Sequence, residues 1–318
     1  MIDPVKIWPD NRGQHIQAHG GAIIDVDGTF YWFGEDRSPD NEPGTCPVAC
    51  YASKDLMNWE FRGKVFDGRN PANIEGLWQI ERPKVFHCKA TGKFVMYLHL
   101  DGQVPGHWSR YRRAEVGVAI CDTIDGKYEW LRSFRPLGKE SRDIGQFIDD
   151  DGQAYLIFEC RPEGGFHIAR LSGDYLDVAE SVAFIKSPIE GGAIVKYDGL
   201  YYCLGSLLTG WWPNANQYAT AEKLEGPWSE FRDVAPPETL TYGSQSTYLL
   251  KVVGSETTTV IYMGDVWRPY ELSDSRYLWY PLQIGGGEMA LKPFEGWMPG
   301  PWEIDVGTGV TRIASAPR

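Results

Sequence analysis

The feature that most constrains the fold is a strand–turn–strand unit that occurs five times along the chain. Each copy has an apolar strand, a turn that contains glycine, and an aromatic-rich strand that returns. The copies read GGAIIDVDGTFYWFGE, RPKVFHCKATGKFVMYLHL, IGQFIDDDGQAYLIFE, GGAIVKYDGLYYCLGS and STYLLKVVGSETTTVIYMGD, with turn glycines Gly28, Gly92, Gly152, Gly199 and Gly254. Glycine turns between apolar, aromatic-rich segments are typical of β-hairpins. The sequence therefore predicts an all-β protein built from a repeated hairpin.

Further segments indicate how the hairpins assemble. Stretches such as VACYASKDLMNWEFRGKV and QYATAEKLEGPWSEF follow most hairpins and predict two more strands in each unit. A four-stranded sheet cannot bury both faces alone, and radial stacking of such sheets solves this problem. We therefore expect a five-bladed β-propeller that forms a single domain over residues 1–318, because no linker or abrupt charge shift divides the chain. A large β-sandwich is the structural alternative.

The composition narrows the classes of partner. The formal net charge of -12 would repel a phosphate backbone, and no run of basic residues offsets it. We therefore expect no nucleic-acid partner. No apolar run is long enough to span a membrane, so no membrane partner is expected either. Aromatic residues make up 14% of the chain, which suits sites that stack on flat sugar rings. The expected partner is a carbohydrate.

The cysteines and the N-terminus bear on the cellular compartment. The six cysteines are scattered, in neither a zinc-ribbon spacing nor a small disulfide framework, and most are predicted to be buried thiols. A disulfide between Cys46 and Cys50 is an option if the protein is secreted. The start MIDPVKIWPDNRGQHIQ lacks the apolar core of a secretory signal. We expect a cytoplasmic protein, or a secreted or periplasmic one whose signal has been removed, and a monomer in either location.

Polar residues stand at or near the entrance of the inner strand in all five repeats. They belong to AHGG, IERPK, SRDIGQ, IEGG and GSQST, and include His19, Glu81, Arg82, Arg142, Asp143, Glu190 and Gln245. Inner strands of a propeller converge on its axis, so these side chains are predicted to meet at one mouth of the channel. Each residue alone has a structural alternative, such as a core imidazole for His19 or an Arg82–Glu81 ion pair. Equivalent placement in five repeats favours a functional site.

Several of these motifs together resemble glycoside hydrolase family 43, in particular its branch of exo-β-1,3-galactanases and related β-galactosidases. The motifs are IQAHGGAIIDVDGTFYWFGED, YASKDLMNWEFRGKVF, IERPKVF, RSFRPLGKESRDIGQFIDDDGQAYLI, LLTGWWPNANQYATA and YGSQSTYLL, which cover nearly the whole chain. The resemblance implies a five-bladed propeller that hydrolyses glycosidic bonds with inversion. No cofactor is then required, and calcium on the propeller axis is an option, although the sequence has no EF-hand-like pattern.

The resemblance also implies catalytic roles. Inversion needs a protonated carboxyl for the leaving oxygen and a second group that activates water on the opposite face. Glu190 matches the general acid, and Asp143 matches the carboxylate that raises its pKa and orients it. The usual base position falls on Gly20. In the galactanase-like branch that role has been assigned to a glutamine or a glutamate, here Gln245 or Glu81. Glu81 is the stronger proton acceptor, and Gln245 is also suited to clamp a hydroxyl, so the choice stays open.

Further residues are predicted to bind the sugar. Trp211 and Trp212 in TGWWPN offer faces for a pyranose ring. The other predicted substrate-binding residues are His19, Glu35, Trp78, Arg82, Arg142, Thr209 and Asn214.

The main functional hypothesis is an exo-acting hydrolase that releases galactose from β-1,3-galactan or arabinogalactan side chains. An α-L-arabinofuranosidase or galactofuranosidase of the same fold is the nearest alternative, because pocket walls decide sugar identity. A non-catalytic carbohydrate-binding propeller is the alternative from another class. It is favoured by glycine at the usual base position and opposed by the presence of both Glu190 and Asp143.

Overall fold

The computed structural model describes residues 2–69, 78–187, 189–253 and 258–293, and the backbone of two further strands at 302–305 and 310–313. Antiparallel strands dominate this part of the chain. The helical segments are short turns at Pro136–Gly138, Pro237–Thr239, Leu240–Gly243 and Leu272–Asp274. None of the helices described is long and apolar enough to cross a membrane. The predicted turn at Gly254 lies outside the described residues.

Four sheets have four antiparallel strands each. The first contains β1 (His19–Val26), β2 (Thr29–Glu35), β3 (Val48–Ser53) and β4 (Glu60–Phe66). The second contains β5 (Trp78–Cys88), β6 (Lys93–Gly102), β7 (Glu115–Cys121) and β8 (Glu129–Phe134). The third contains β9 (Ile144–Ile148), β10 (Ala154–Cys160), β11 (Gly165–Leu171) and β12 (Val178–Lys186). The fourth contains β13 (Ile189–Tyr197), β14 (Leu200–Leu207), β15 (Gln217–Ala221) and β16 (Arg232–Asp233).

The fifth sheet differs from the prediction of four strands. Among the described residues it has three strands, β17 (Gln245–Val253), β18 (Thr258–Val266) and β19 (Arg276–Pro281). Two separate hairpins follow it, β20 (Gln283–Gly285) with β21 (Glu288–Ala290), and β22 (Trp302–Asp305) with β23 (Val310–Ile313).

The first strands of the five sheets form a closed ring. In chain order β1, β5, β9, β13 and β17 each contact the next, and β17 contacts β1. This arrangement confirms the predicted five-bladed β-propeller. The turns explain why the hairpins form: Asp27 with Gly28, and Asp198 with Gly199, both have positive φ, as type I′ turns require.

An apolar cluster fills the space between each pair of neighbouring blades. Between the fifth and first blades, Trp32 of β2 packs against Trp279 of β19 with ring centroids 4.7 Å apart. Four similar clusters fill the remaining gaps. Because burial of apolar area contributes about 25 cal/mol per Å², these clusters hold the blades in fixed positions around the axis. All six cysteines are free thiols, so no disulfide joins Cys46 to Cys50.

The N-terminal segment links the last blade to the first. The Val5 N–H donates to the carbonyl of Tyr277 on the outer strand of the fifth sheet at 2.8 Å. Ile2 and Trp8 join the cluster between the first and fifth blades, and the Trp8 ring lies 5.1 Å from that of Trp279. Residues at the start of the chain therefore cover the edge of the three-stranded sheet and help to close the ring.

Candidate active site

The site is built from equivalent positions on the first two strands of each blade. At the start of the inner strand a polar residue lies opposite a polar residue at the end of the second strand. The five pairs are His19 with Glu35, Glu81 with His99, Asp143 with Glu159, Glu190 with Ser206, and Gln245 with Asp265. In four of the inner strands a register shift follows at this point. Such bulges re-aim side chains, and here they bring the polar ends of the strands together.

These positions surround a cavity of about 410 Å³ at the mouth of the ring. Ten of the predicted site residues line it: Glu35, Glu81, Arg82, Arg142, Asp143, Glu190, Thr209, Trp211, Trp212 and Gln245. A mostly polar floor beneath a tryptophan wall suits a sugar, whose hydroxyls need partners and whose ring face is apolar.

Three predicted residues do not line this cavity. His19 is fully buried, with its Nδ1 atom 3.0 Å from an Asp265 oxygen and its ring stacked on Tyr277. Asn214 holds the preceding loop, since its side-chain amide donates to the Leu207 carbonyl at 2.9 Å. Trp78 lines a smaller neighbouring pocket. None of these three residues lines the main cavity.

Glu190 is a buried carboxyl with a donor on each oxygen. Its Oε1 accepts from Nε2 of Gln245 at 3.1 Å, and its Oε2 accepts from Nη2 of Arg161 at 3.0 Å. Burial, and then the negative charges of Asp143 and Glu159, raise the pKa of Glu190 to about 8. A carboxyl with this pKa carries a proton near neutral pH, which a general acid requires.

Asp143 stays ionised beside it. An oxygen of Asp143 lies 2.6 Å from Nε of Arg82, a residue held deep in the site. Burial alone would raise the pKa of Asp143, but the positive charges of Arg82 and His99 outweigh it and hold that pKa well below its usual range. The two neighbouring carboxyls therefore have opposite protonation states, Glu190 neutral and Asp143 charged.

His99 connects the second and third blades. Its Nδ1 atom lies 3.3 Å from Glu81 and 3.5 Å from Asp143, and its Nε2 atom lies 3.5 Å from Asp101. Burial alone would lower its pKa, but these three carboxylates raise it well above the usual value. The imidazolium in turn outweighs the effect of burial on Glu81 and keeps the pKa of that carboxyl low. Glu81 is therefore an anion, and it also accepts a hydrogen bond from the Tyr111 hydroxyl at 2.8 Å.

Gln245 is fixed on both sides of its amide group. Its Nε2 donates to Glu190 and, at 3.0 Å, to Oγ of Ser206, whereas its Oε1 accepts from the indole of Trp267 at 2.8 Å. With both N–H groups committed and the oxygen held, the amide acts as a rigid donor to the acid in this structure.

Gly20 stands at the position where the sequence resemblance places the usual general base, and a different side chain fills the space beside it. A Cβ at Gly20 would lie 2.5 Å from a side-chain oxygen of Glu35, so a larger residue there would require Glu35 to move. The Glu35 carboxylate, from the paired strand, takes up this space and accepts the backbone N–H of Arg82 at 2.8 Å. Gly20 has a positive φ as well, which favours glycine.

Two groups of side chains have metal-ligand chemistry in the described residues. Glu81, His99 and Asp143 form one, and Cys160, Glu163 and His167 form the other, outside the cavity. In the first group the His99 imidazolium already supplies a positive charge between the two carboxylates. Between the inner strands, Lys84 of β5 donates to the Gly20 carbonyl at 2.6 Å, and burial lowers its pKa to about 7.

Sequence reasoning missed the side chains that reach the cavity from second strands and connecting loops. They are His99, Tyr111, Arg161, Leu208 and Trp267, and the backbone of Gly210 lines the cavity beside them. The hairpins do carry a signal for the second-strand residues, because the residue that pairs with each inner-strand position can be found by counting outward from the turn. The bulge shifts that count by one, and the sequence does not reveal the bulge.

A five-bladed propeller with a neutral and an ionised carboxyl in one cavity is the architecture of a glycoside hydrolase. Residues 17–239 match the model of "Glycosyl hydrolases family 43". The chain belongs to this family.

Solved structures of similar proteins agree. A variant of an exo-β-1,3-galactanase from Phanerochaete chrysosporium, solved with β-1,3-galactotriose, is 37% identical with a TM-score of 0.83 and matches 99% of this chain and 70% of its own. An exo-β-1,3-galactanase from Clostridium thermocellum is 34% identical with a TM-score of 0.83, over 98% of this chain and 68% of its own. A β-1,3-galactosidase solved with galactodeoxynojirimycin is 32% identical with a TM-score of 0.82, over 93% of this chain and 100% of its own.

A curated relative lies further away. The "Extracellular endo-alpha-(1->5)-L-arabinanase 2" of Bacillus subtilis (strain 168) is 24% identical over an alignment of 195 residues, and the match covers 48% of this chain. The match spans 37% of the length of that relative.

Proposed function

We propose that this chain is an inverting, exo-acting glycoside hydrolase that releases galactose from β-1,3-galactan or arabinogalactan-type side chains. The observation that carries the proposal is the pairing of Glu190, whose pKa is raised to about 8, with ionised Asp143 in a sugar-sized cavity. The sugar specificity rests on the galactanase and galactosidase relatives, which match nearly all of this chain.

In the proposed mechanism Glu190 protonates the glycosidic oxygen as the bond to the anomeric carbon breaks. Asp143 keeps the proton on Glu190 until then, because its negative charge opposes ionisation of the neighbouring carboxyl. Trp211 and Trp212 line the wall of the cavity and offer apolar faces to the sugar ring. Arg82 does not donate the proton: it is the buried counter-ion that keeps Asp143 ionised.

Two residues compete to activate the water on the opposite face. Glu81 is an anion held by His99 and Tyr111, so it has the charge of a base, although its low pKa makes it a weak one. Gln245 touches the acid itself at 3.1 Å, whereas acid and base of inverting enzymes stand about 6.5–9.5 Å apart. A base role for Gln245 would require its hydrogen bonds to rearrange.

Substitution separates the two. If Glu81 is the base, Glu81→Gln should lower kcat strongly and azide should restore part of the turnover, because azide attacks without needing a base. If Gln245 holds the water, Gln245→Ala should abolish turnover, while Glu81→Gln mainly raises KM. Azide rescue of Glu81→Gln would exclude Gln245 as the base.

The substrate and stereochemistry have a direct test. Incubation with β-1,3-galactan should release galactose alone, and proton NMR of the first product should show the α-anomer, opposite to the β-linkage. Release of arabinose from aryl arabinofuranosides without galactose release would contradict the proposed substrate. Binding without turnover across a glycan panel would favour the non-catalytic propeller. A β-anomeric first product would contradict inversion.

We further propose that the reaction needs no metal. The Arg82 guanidinium and the His99 imidazolium already place positive charge among the carboxylates. Turnover should therefore be unchanged after dialysis against EDTA, and added calcium should not raise it. Loss of turnover that calcium restores would contradict this expectation and support an axial ion.

A further inference from the structure

The proton-donating oxygen of Glu190 is already engaged in the sugar-free enzyme. Oε1 faces Gln245, an amide locked by Ser206 and Trp267. Oε2 faces Arg161 at 3.0 Å. A general acid must present one oxygen to the leaving group, so one of these two donors has to move.

Arg161 is the donor that is free to move. Its side chain is 47% exposed, whereas Gln245 is almost completely buried. Its backbone, by contrast, is fixed in the turn after β10, where the N–H of Gly164 donates to its carbonyl at 3.1 Å. The guanidinium group lines the cavity at the end of a long, flexible side chain. Oε2 is therefore the oxygen that a glycosidic oxygen can reach.

Glu159 offers Arg161 a second position. Nε of Arg161 donates to Oε1 of Glu159 at 2.7 Å, whereas Oε2 of Glu159 is buried without a hydrogen-bond partner. If the guanidinium turns away from Glu190, it can use both oxygens of Glu159 in the two-bond geometry that arginine and carboxylate favour. An acceptor is thus already present for the donor that must leave.

We propose that Arg161 is a displaceable partner of the acid: it donates a hydrogen bond to Glu190 in the sugar-free enzyme and moves fully onto Glu159 when the glycosidic oxygen takes its place. This inference rests on the proposed function and makes Arg161 a positioning residue for the acid. When substrate binds, the positive charge of Arg161 moves away from Glu190. The pKa of Glu190 therefore rises, and the acid holds its proton more firmly in the complex. The other charged groups that face Glu190 are Asp143 of β9, Glu159 of β10 and Arg82 of β5.

Two pH profiles measured with β-1,3-galactobiose test this exchange. The alkaline limb of kcat/KM reports the acid in the free enzyme, and that of kcat reports it in the complex. A neighbouring opposite charge shifts a pKa by about one unit or more. In the wild-type protein we expect the kcat limb at least about one pH unit above the kcat/KM limb. Coincident limbs would overturn the proposal without any variant.

Arg161→Gln distinguishes a displaceable partner from a fixed one. If Arg161 leaves when substrate binds, the variant should raise the kcat/KM limb towards that of kcat and leave the kcat limb in place. Loss of a fixed partner would instead move both limbs equally, which would overturn the proposal. Circular dichroism and the melting temperature establish that the variant is folded.

Arg170→Gln is the matched control. Arg170 is similarly exposed at 44% and pairs with Glu180 at 3.0 Å, on strands outside the cavity. It should retain the wild-type activity and both limbs. Absence of turnover on every glycoside would overturn the proposed function together with this inference, whereas turnover with coincident limbs would overturn the inference alone.

Discussion

At the scale of single residues, the environment of Glu190 decides what the site can do. Its raised pKa comes first from burial and then from two neighbouring carboxylates, so it depends on both the depth of the cavity and the charges beside it. Asp143 lies in the same cavity and keeps its negative charge because Arg82 pairs with it. The neutral carboxyl can donate a proton, and the ionised carboxyl beside it keeps that proton in place until the reaction.

Glu190→Gln tests the proton donor. The amide has nearly the shape of the carboxylic acid, so the fold should be unchanged, but it cannot deliver a proton. We expect kcat to fall by roughly 10²–10⁴-fold, the usual contribution of a general acid. Steady-state kinetics on β-1,3-galactobiose measure this, and an unchanged melting temperature is the control. Near-normal turnover would remove Glu190 from the mechanism.

Asp143→Asn tests the charge beside the acid. Glu190 works only when protonated, so activity falls as the pH rises through its pKa of about 8. Removal of the Asp143 charge lowers that pKa, and Arg82, left without its partner, lowers it further. The alkaline limb of the kcat/KM profile, which reports the free enzyme, should therefore move to lower pH by about one unit or more. A limb that stays in place would contradict the modulating role.

At the scale of elements, the sequence predicts more of the fold than of the site. The hairpins and their blade order follow from the glycine turns, and the inner-strand carboxylates follow from equivalent positions in the repeats. His99 and Glu159 were not predicted, because they lie on second strands and reach the site only through strand pairing. His19 was predicted to bind the sugar, but its ring is fully buried and stacked on Tyr277.

Close contact between inner strands also depends on glycine. A Cβ at Gly145 on β9 would lie 1.9 Å from the Gly192 carbonyl of β13, next to the strand entrance that carries Glu190. Gly145→Ala should therefore force the third and fourth blades apart. We expect a loss of about 1–3 kcal/mol of stability, typical of overpacking, together with reduced turnover, because Asp143 and Glu190 lie on these two blades.

Gly173→Ala is the matched control for this substitution. A Cβ at Gly173 meets no atom within 4 Å, and the residue lies in a turn on the outer side of the third blade. Chemical denaturation should show a change within about 0.5 kcal/mol for this variant. Equal stability of the two variants would mean that β9 and β13 are not constrained at Gly145.

At the scale of the whole molecule, the ring must close between the first and last blades. The fifth sheet contributes Gln245 and the first contributes Glu35, so both sides of this junction supply cavity residues. The N-terminal segment supports the junction from outside, through the hydrogen bond from Val5 and the packing of Trp8. Closure of the fold and geometry of the site are therefore linked.

Trp8→Ala tests this link. Trp8 contacts Trp32, Tyr277 and Trp279 with ring centroids 6.4, 5.4 and 5.1 Å away, so its removal leaves a gap between the first and fifth blades. Because Trp8 is only half-buried, we expect a loss of about 2 kcal/mol, below the value for a fully buried aromatic residue. Ile7→Ala is the control, since Ile7 is 55% exposed in the same segment. Chemical denaturation of both variants measures the difference. If Trp8→Ala is as stable as Ile7→Ala, the N-terminal segment does not hold the ring closed, and the β1–β17 contacts with the Trp32–Trp279 packing suffice without it.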